Sequence, residues 1–460
     1  MTEHASRPPA DAGVDTIAAV ATASGLSATA MVRLSGPKAF QILRSLTPAR
    51  TDPIPARSPR LVRIEDPIKG GLLDQAVVTT FPGPDSYTGE DVAEISSHGG
   101  WLVPALVLEA CRAAGARIAE PGEFTRRAVL NGKMDLVQAE AVLDLVEGRS
   151  RALHDSALFQ LERGLSRRIG ELREQMVAVE ALLVHHIDFP EEDEAPVPME
   201  RVLKAGAALL EGLDALLATA PEGELLREGA LTVLAGLPNS GKSSLFNALL
   251  GQERAIVTET PGTTRDALEA VVSLGGFPFR VVDTAGIRDT DETVERLGIE
   301  VARRYLERAD VVLFCAEHGR ALLEEERRFL EELEEVPVVI LRTKADLVVA
   351  PERSPTGVEV SVVDGTGIAR LREFLPSLVY RGLVRTGASV PALTRARHRE
   401  GVRSARAHVA DFVLALRDGV PAEMASTHLR PAETALEELL GVICNDEVLD
   451  RVFRDFCIGK

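Results

Sequence analysis

One segment of the sequence reads Gly236-Leu-Pro-Asn-Ser-Gly-Lys-Ser-Ser244. It matches the pattern Gly-x-x-x-x-Gly-Lys-Ser/Thr, in which glycines let backbone N–H groups surround phosphate oxygens and a lysine adds positive charge. The apolar run Leu231–Ala235 before it predicts a buried strand, and Leu245–Leu250 after it predicts a helix. A surface Gly-Ser turn is the alternative, and the strand and helix on either side disfavour it. The sequence therefore predicts a phosphate-binding loop.

Two later segments extend this pattern toward guanine nucleotides. Arg280–Gly286 predicts a strand whose last residue, Asp283, can reach a Mg²⁺ ion beside the phosphates. Pro337–Asp346 predicts a strand that ends in Thr-Lys-Ala-Asp. In that motif the carboxylate of Asp346 can accept from the guanine N–H groups while Lys344 lies across the base. Together with the phosphate loop, these segments predict a Ras-like GTP-binding domain.

The predicted GTP site gathers residues from the loops that follow these strands. Lys242 supplies a catalytic positive charge, and Ser243 and Thr264 supply hydroxyl ligands for Mg²⁺. The other predicted contacts to GTP are Asn239, Ser240, Gly241, Ser244, Thr258, Glu259, Thr260, Pro261, Gly262, Thr263, Asp283, Thr284, Ala285, Gly286, Thr343, Lys344, Ala345, Asp346, Ser361, Val362 and Val363.

The segment after Asp283 departs from Ras in a way that bears on hydrolysis. Ile287 follows Gly286, so the glutamine that orients water in Ras is absent, and Glu295 is the candidate to replace it. A monovalent cation could then take over the charge neutralisation of an arginine finger. The candidate ligands for that cation are Asn239, Thr258, Thr260 and Thr263.

Composition excludes several classes of protein. A net charge of −18 argues against a surface that wraps nucleic acid, so RNA contact requires a local basic patch or a partner. No stretch approaches the ~18 uncharged apolar residues of a membrane span, and Met1–Gly13 lacks the apolar centre of a signal peptide. The four cysteines follow no disulfide or metal-site spacing. We therefore expect a cytoplasmic protein without a membrane partner.

The rest of the chain predicts two further domains. Residues 1–128 alternate predicted strands and helices, which indicates a mixed α+β domain. Residues 129–225 and 382–460 predict helices, including one long amphipathic helix from Leu158 to Ile187. Each helical part has too few partners to bury its apolar faces alone. The sequence therefore predicts one α-helical domain split in sequence, with the α/β GTPase domain, residues 226–381, inserted between its halves.

Four polar residues outside the GTPase region are candidate functional groups. Arg33 and Glu94 each stand between two apolar residues of a predicted strand, so each lies on the face opposite those neighbours. An ion pair or two solvated side chains explain these positions as well as a ligand site does. Only seven of the 52 basic residues are lysine, which singles out Lys133 and Lys460 as well as the two lysines of the GTP motifs.

Nearly all of the chain resembles the tRNA modification GTPase MnmE family, also called TrmE. Besides the GTPase motifs, the resemblance rests on specific strings, which are Arg33-Leu-Ser-Gly36, Tyr87-Thr-Gly-Glu-Asp91, His98-Gly-Gly100, Pro121-Gly-Glu-Phe124, Asn131-Gly-Lys-Met-Asp-Leu136 and Phe456-Cys-Ile-Gly-Lys460.

The resemblance implies a function that the GTPase motifs alone do not. The family hydrolyses GTP in a K⁺-activated reaction and acts with the FAD enzyme MnmG. Together they add an aminomethyl or carboxymethylaminomethyl group at C5 of the wobble uridine of certain tRNAs. The resemblance also implies a homodimer, a heterotetramer with MnmG, and FAD bound by the partner rather than by this chain.

The resemblance further implies a one-carbon cofactor. The N-terminal domain would bind a 5-formyltetrahydrofolate-type folate through Arg33, Glu94, Lys133 and Lys460. Cys457 would be a functional thiol, since the family carries this cysteine and a nearby lysine ammonium favours a thiolate.

Three positions depart from the family pattern. Thr343 and Val362 stand where asparagine and alanine are usual, and residues 22–29 lack the usual Gly/Pro-rich loop. We expect the threonine to remove one hydrogen bond to guanine.

Two other functional classes compete with this interpretation. A ribosome-assembly GTPase would share the switch, but it would carry an RNA-binding module or a second GTPase domain, and the sequence indicates neither. A stand-alone one-carbon transferase would leave the hydrolytic domain unexplained.

We expect GTP hydrolysis to be slow in Na⁺ and faster in K⁺, with the GTPase domains pairing head to head. The reason is that Asn239 and the threonine-rich segment offer cation ligands while the Ras-type glutamine is missing. Turnover measured in the two salts at matched ionic strength checks this, and equal rates would contradict it.

Overall fold

The computed structural model describes residues 15–48, 52, 54–188, 197–251, 268–283, 303–333, 336–347, 356–443, 446–454 and 456–460. The chain divides into two compact units. The first contains Met1–Leu143 and Leu440–Lys460, and the second contains Asp144–Leu439. The two ends of the chain therefore belong to the same unit.

The described residues form two six-stranded sheets, one in each unit. The strands of the first unit are β1 (Ile17–Val20), β2 (Thr29–Ser35), β3 (Arg60–Glu65), β4 (Leu72–Phe81), β5 (Val92–His98) and β6 (Arg117–Ile118). The strands of the second unit are β7 (Ala230–Ala235), β8 (Leu268–Leu274), β9 (Phe277–Asp283), β10 (Val311–Glu317), β11 (Val338–Thr343) and β12 (Val358–Glu359).

The α-helices of the described residues are numbered in chain order. They are α1 (Ala39–Ser45), α2 (Leu102–Ala113), α3 (Glu123–Leu130), α4 (Leu136–Glu147), α5 (Arg151–Leu161), α6 (Gly164–Asp188), α7 (Met199–Leu217), α8 (Ala220–Glu228), α9 (Lys242–Gly251), α10 (Glu324–Glu331), α11 (Ile368–Val379), α12 (Arg381–Thr386), α13 (Ala396–Arg417), α14 (Ala422–Ala425), α15 (Leu429–Leu440) and α16 (Asp446–Phe453). None of these helices is both long enough and apolar enough to cross a membrane.

The sheet of the first unit has the order β3-β4-β5-β2-β1-β6, and all neighbours are antiparallel except β1 and β6. Alternation along β2 buries Val32 and Leu34, which join a core with Val107 and Cys111 of α2. Arg33 lies between them in sequence and so projects from the opposite face of the sheet. The predicted alternation at this position is confirmed.

The sheet of the second unit has the order β12-β11-β10-β7-β9-β8, and only β8 runs antiparallel to its neighbour. Every residue of the central strand β7 is buried, as expected where helices cover both faces of a parallel sheet. The parallel strands bring their carboxyl ends to one edge, which is where such sheets bind ligands. The α/β sheet predicted within residues 226–381 is present.

In the second unit, helices that precede the sheet in sequence pack against a helix that follows it. Val179 of α6 and Val202 of α7 share a core with Phe412 and Val413 of α13. Arg173 of α6 also pairs with two glutamates of α15, at 2.9 and 2.7 Å.

The single long helix predicted from Leu158 to Ile187 is wrong in one respect. The structure has two helices there, α5 and α6, separated at Arg163, whose φ is +66°. A Cβ on Gly164 would lie 2.1 Å from the ring of Phe159, so a larger residue there would displace that ring. The apolar periodicity continues across the turn, which is why the sequence pattern did not indicate it.

The units group the chain differently from the predicted segments. Residues 129–143 and 440–460 belong to the same unit as the N-terminal sheet. Within that unit, Leu136 and Leu143 of α4 pack against Leu449 and Phe453 of α16. The predicted boundaries at residues 128, 225 and 381 stay predictions.

Tyr380, between α11 and α12, joins the strands β7 and β9 of the second unit. Its ring is fully buried, stacked on Phe277 at 4.9 Å and edge-on to Phe279 at 5.7 Å. Its hydroxyl donates to the carbonyl of Pro278 at 2.6 Å and accepts from the N–H of Ala230 at 3.2 Å. Burial raises the pKa of Tyr380, so the phenol stays protonated and keeps its donor.

Tyr380→Phe should lower the free energy of unfolding of the second unit by about 1–3 kcal/mol, because it leaves a buried N–H and a buried carbonyl without their partner. Tyr305→Phe is the matched control. Its hydroxyl contacts the carboxylate of Glu269 at 3.3 Å from a partly exposed position, and its loss should cost below about 0.5 kcal/mol. Denaturant unfolding of both variants measures this difference. An equal loss of unfolding free energy in the two variants would contradict the bridging role of Tyr380.

Candidate functional site

The phosphate-binding loop lies at the carboxyl edge of the second sheet, directly after β7. Gly236 has a φ of +135°, and a Cβ there would lie 2.3 Å from the carbonyl oxygen of Cys315 on β10. Gly241 and Asn239 also have positive φ values, +93° and +60°. The predicted glycines are therefore required by close approach and by backbone conformation.

Lys242 is the first residue of α9, and its side chain contacts this loop. Its side chain is buried, and its ammonium donates to the carbonyls of Gly236 at 3.0 Å and Leu237 at 2.8 Å. Ser243 and Ser244 follow it at the helix start and are exposed. A helix N-terminus with a lysine and exposed hydroxyls is suited to bind phosphate and a hard cation.

Asp283 ends the strand next to the loop. β9 pairs with β7 in parallel, with Asp283 opposite Leu234, so this carboxylate reaches the same edge as the loop. The residue is fully buried. Cys315 lies close by on β10, and burial raises the pKa of its thiol to about 12 even though Lys242 opposes that rise. The thiol of Cys315 is therefore not a nucleophile at neutral pH.

Thr343, at the end of β11, contacts the phosphate loop directly. Its hydroxyl lies 2.7 Å from the carbonyl of Ser240 and 3.3 Å from that of Ala316, and the residue is buried. The sequence predicts that Thr343 contacts GTP, with one hydrogen bond to guanine fewer than asparagine. The structure shows that Thr343 also links the guanine motif to the phosphate loop.

Two residues of the guanine motif have polar side-chain partners: Lys344 forms an ion pair and Asp346 accepts a hydrogen bond. Lys344 has a φ of +58°, and its ammonium pairs with the carboxylate of Glu317, which holds the pKa of Glu317 below its usual value. Asp346 follows Ala345 and accepts from the hydroxyl of Ser361 at 2.7 Å. Ser361 is thus a support for Asp346, while the two valines that follow it, Val362 and Val363, are exposed.

The predicted residues that lie outside the described ranges are Thr258, Glu259, Thr260, Pro261, Gly262, Thr263, Thr264, Thr284, Ala285, Gly286 and Glu295.

The first unit contains the second candidate site, built on the pair Arg33 and Glu94. These residues lie opposite each other on β2 and β5, and the guanidinium donates to the carboxylate at 2.8 and 3.0 Å. The guanidinium also lies 5.4 Å from the ring centre of Tyr87 and 5.7 Å from that of Phe124. The sequence left open whether Arg33 and Glu94 form an ion pair or are separately solvated, and the structure shows a partly buried ion pair.

The C-terminal residues lie against the same strand. Arg33 approaches the carbonyl of Gly459 at 3.5 Å, and the N–H of Phe124 donates to the carbonyl of Lys460 at 3.2 Å. Gly459 has a φ of +98°, and a Cβ there would lie 2.6 Å from the carbonyl oxygen of Val20. Cys457, two residues earlier, is exposed.

Lys133 reaches the edge of this region rather than the ion pair. Its ammonium donates to the carbonyl of Pro84 at 2.9 Å, and its stem lies about 3.4 Å from where a Cβ on Gly89 would stand. The segment of Tyr87 to Asp91 therefore contacts Arg33 at one end and Lys133 further along. Tyr87 and Phe124 were not singled out from the sequence, although both belong to strings that carry the resemblance.

A buried charge network supports α3, which follows Gly122. Arg127 is buried and donates to the carboxylates of Asp15 at 2.6 Å, Glu123 at 3.0 Å and Glu90 at 3.2 Å. Burial acts to raise the pKa of Glu123, but hydrogen bonds from Arg117 and Arg127 outweigh it and hold the pKa below its usual value. These groups are satisfied by one another, so they position the site without needing a ligand.

Two family models match this chain. The MnmE helical domain matches residues 136–457, and the GTP-binding protein TrmE N-terminus matches residues 16–133.

Curated relatives match over almost the whole length. The tRNA modification GTPase MnmE of Moorella thermoacetica is 41% identical and that of Heliobacterium modesticaldum is 40% identical, each over 97% of this chain and 99% of the relative. Among solved structures, the G domain of the T. maritima FeoB iron transporter is 28% identical over 32% of this chain and 96% of that one. Its TM-score of 0.25 is too low to support an argument.

Thr343→Val should weaken GDP binding about fivefold, because it removes the hydroxyl that ties the guanine motif to the phosphate loop at a cost of about 1 kcal/mol. Thr343→Ser keeps the hydroxyl and should bind as the wild type does. Fluorescent GDP titration of the three proteins measures this. The bridging role is wrong if the valine and serine variants bind GDP equally well.

Proposed function

Because this chain belongs to the tRNA modification GTPase MnmE family, we propose that it couples K⁺-activated GTP hydrolysis to folate-dependent modification of the wobble uridine. As a member of this family, the chain is a GTP hydrolase that acts in tRNA modification. The proposal adds the cation, the cofactor and the product, a (carboxymethyl)aminomethyl group at C5. The observation that carries it is the Arg33–Glu94 pair, which the carbonyl of Gly459 near the C-terminus approaches, on a chain that also has a phosphate-binding loop.

The residues at the carboxyl edge of the second sheet fit a magnesium–GTP complex. Lys242 would exchange its contacts to the loop carbonyls for phosphate oxygens, and Ser243, with Thr264, would offer hydroxyl ligands to Mg²⁺. Mg²⁺ would neutralise phosphate charge during hydrolysis. Asp283 supports this assignment, since its buried carboxylate reaches the same edge.

Potassium activation rests on the same loop. Asn239 lies in the loop in a left-handed conformation, and Thr258, Thr260 and Thr263 would complete the ligands. Glu295 would orient the attacking water. K⁺ would supply the positive charge that an arginine finger supplies in other GTPases.

The donor set of the first unit fits a folate. The flat guanidinium of Arg33, near the rings of Tyr87 and Phe124, offers a surface for stacking, and the carboxylate of Glu94 offers an acceptor for ring N–H groups. Lys133 and Lys460 would supply positive charge to the carboxylates of a 5-formyltetrahydrofolate-type cofactor. The cofactor would bring the one-carbon unit, and the chain would bind and orient it.

The remaining parts of the proposal concern partners and arrangement. We assign this chain a homodimeric state and a heterotetramer with an FAD enzyme, MnmG, in the cytoplasm. The negative net charge supports contact with tRNA through a partner or a local patch. The packing of α6 and α7 with α13 supports a helical domain split in sequence around an inserted GTPase domain.

Cys457→Ser should abolish tRNA modification while leaving GTP hydrolysis unchanged, because the exposed thiol belongs to the first unit and not to the phosphate loop. The measurement is a reconstituted reaction of full-length protein with MnmG, tRNA, GTP, K⁺ and folate, followed by mass analysis of the wobble nucleoside. Cys444→Ser is the control and should modify tRNA normally, because Cys444 lies within an apolar stretch that the sequence predicts to be helical. Full modification by Cys457→Ser would remove the thiol from the chemistry.

The same reaction tests the proposed function as a whole. Wild-type protein that hydrolyses GTP but leaves the wobble nucleoside unchanged, with or without folate, would reject the modification chemistry. A ribosome-assembly GTPase would give that result.

A further inference from the structure

Two histidines and an aspartate converge in the helical part of the second unit. Ligand atoms of His408, Asp411 and His428 all lie within 4.8 Å of one another. His408 and Asp411 are three residues apart on α13 and so share one side of that helix. His428 ends a short 3-10 turn between α14 and α15.

The backbone on both sides of this cluster is held by buried contacts. Ala425 and Leu429, which flank the turn of His428, pack in one core with Phe412 and Val413 of α13. His408 and His428 are partly buried beside that core, and Asp411 is exposed. The three groups therefore meet because the scaffold brings them together, and they border solvent from which an ion can enter.

The basic residues nearest in sequence to the two histidines, Arg406 and Arg430, pair with carboxylates outside the cluster. Arg406, on α13, pairs with Asp214 at 2.9 Å, and Arg430, after the turn, pairs with Glu433 at 2.9 Å. Their positive charge is compensated by those carboxylates, so it does not oppose a cation at the cluster.

We propose that His408, Asp411 and His428 bind a borderline divalent transition-metal ion, with Zn²⁺ as the representative. Two imidazole nitrogens and one carboxylate oxygen are the ligand types that zinc takes, with water in a fourth position. Ligands about 2.1 Å from zinc lie roughly 3.4 Å apart, so small side-chain rotations close the set around an ion. The site is in a helical region away from the phosphate loop in sequence, and it has no part in the proposed GTP chemistry.

The bound ion would clamp α13 to the connection between α14 and α15. These elements also contact each other directly, through the core that contains Phe412, Val413, Ala425 and Leu429. An ion bound by the folded state and not by the unfolded chain raises the melting temperature. Zinc should therefore stabilise the second unit without being required for its folding.

The test is a Zn²⁺ titration of the nucleotide-free full-length chain, in excess Mg²⁺ to occupy hard-cation sites. His408→Ala and His428→Ala should each weaken binding of one Zn²⁺ by at least about tenfold and remove the zinc-dependent rise in melting temperature. GTP hydrolysis should stay at the wild-type rate in both. Co²⁺ in place of Zn²⁺ should give the intense visible absorption of a four-coordinate ion only with the cluster intact.

His154→Ala is the matched control. His154 is an exposed histidine beside a carboxylate, 3.3 Å from Asp155, but it has no second histidine in a described cluster. It should bind Zn²⁺ as the wild type does. The same zinc affinity and stoichiometry in the wild type and in the His408 and His428 variants would overturn the proposal, as would a Co²⁺ spectrum unchanged by them.

Discussion

The first unit depends on the seating of the last residues of the chain against its N-terminal sheet. The N–H groups of Gly122 and Phe124 donate to the carbonyls of Cys457 and Lys460, at 3.3 and 3.2 Å. Gly122 has a φ of +67°, and a Cβ there would lie 2.8 Å from Phe456, so this contact requires glycine. The chain leaves the first unit after Leu143 and returns to it at Leu440.

This seating also explains why residues far apart in sequence serve one site. The tail brings Gly459 to Arg33, whose guanidinium is held by Glu94 and lies beside Tyr87 and Phe124. A short helix, α3, starts at the tail contact and carries Arg127 into the buried network. In the second unit, the ends of parallel strands bring the candidate site together. The loop after β7 leads to Lys242, and the end of β11 leads to the guanine motif, at the same edge of the sheet. Within each unit, the unit's own strands and helices therefore position the candidate site residues.

The parts that the sequence predicted well are those that local pattern determines. The phosphate loop was predictable because Gly236 and Lys242 act within a few residues of each other, and the strand face of Arg33 followed from alternation. Contacts between distant segments were not predictable. Thr343 bridges to a carbonyl about a hundred residues away, at Ser240, and only the register of β11 and β10 beside β7 brings the two together. The turn at Arg163 was missed because apolar spacing continues through it.

Removing residues 457–460 from the otherwise full-length chain tests most directly whether the seated tail completes a cofactor site. Calorimetric titration should show 5-formyltetrahydrofolate binding weakened by at least about tenfold, from the loss of charged contacts, while GDP binding is unchanged. Thermal unfolding of the truncated chain, with the first unit still folded at the titration temperature, makes that loss attributable to the site. Folate affinity equal to that of the intact chain would contradict the proposed role of the tail.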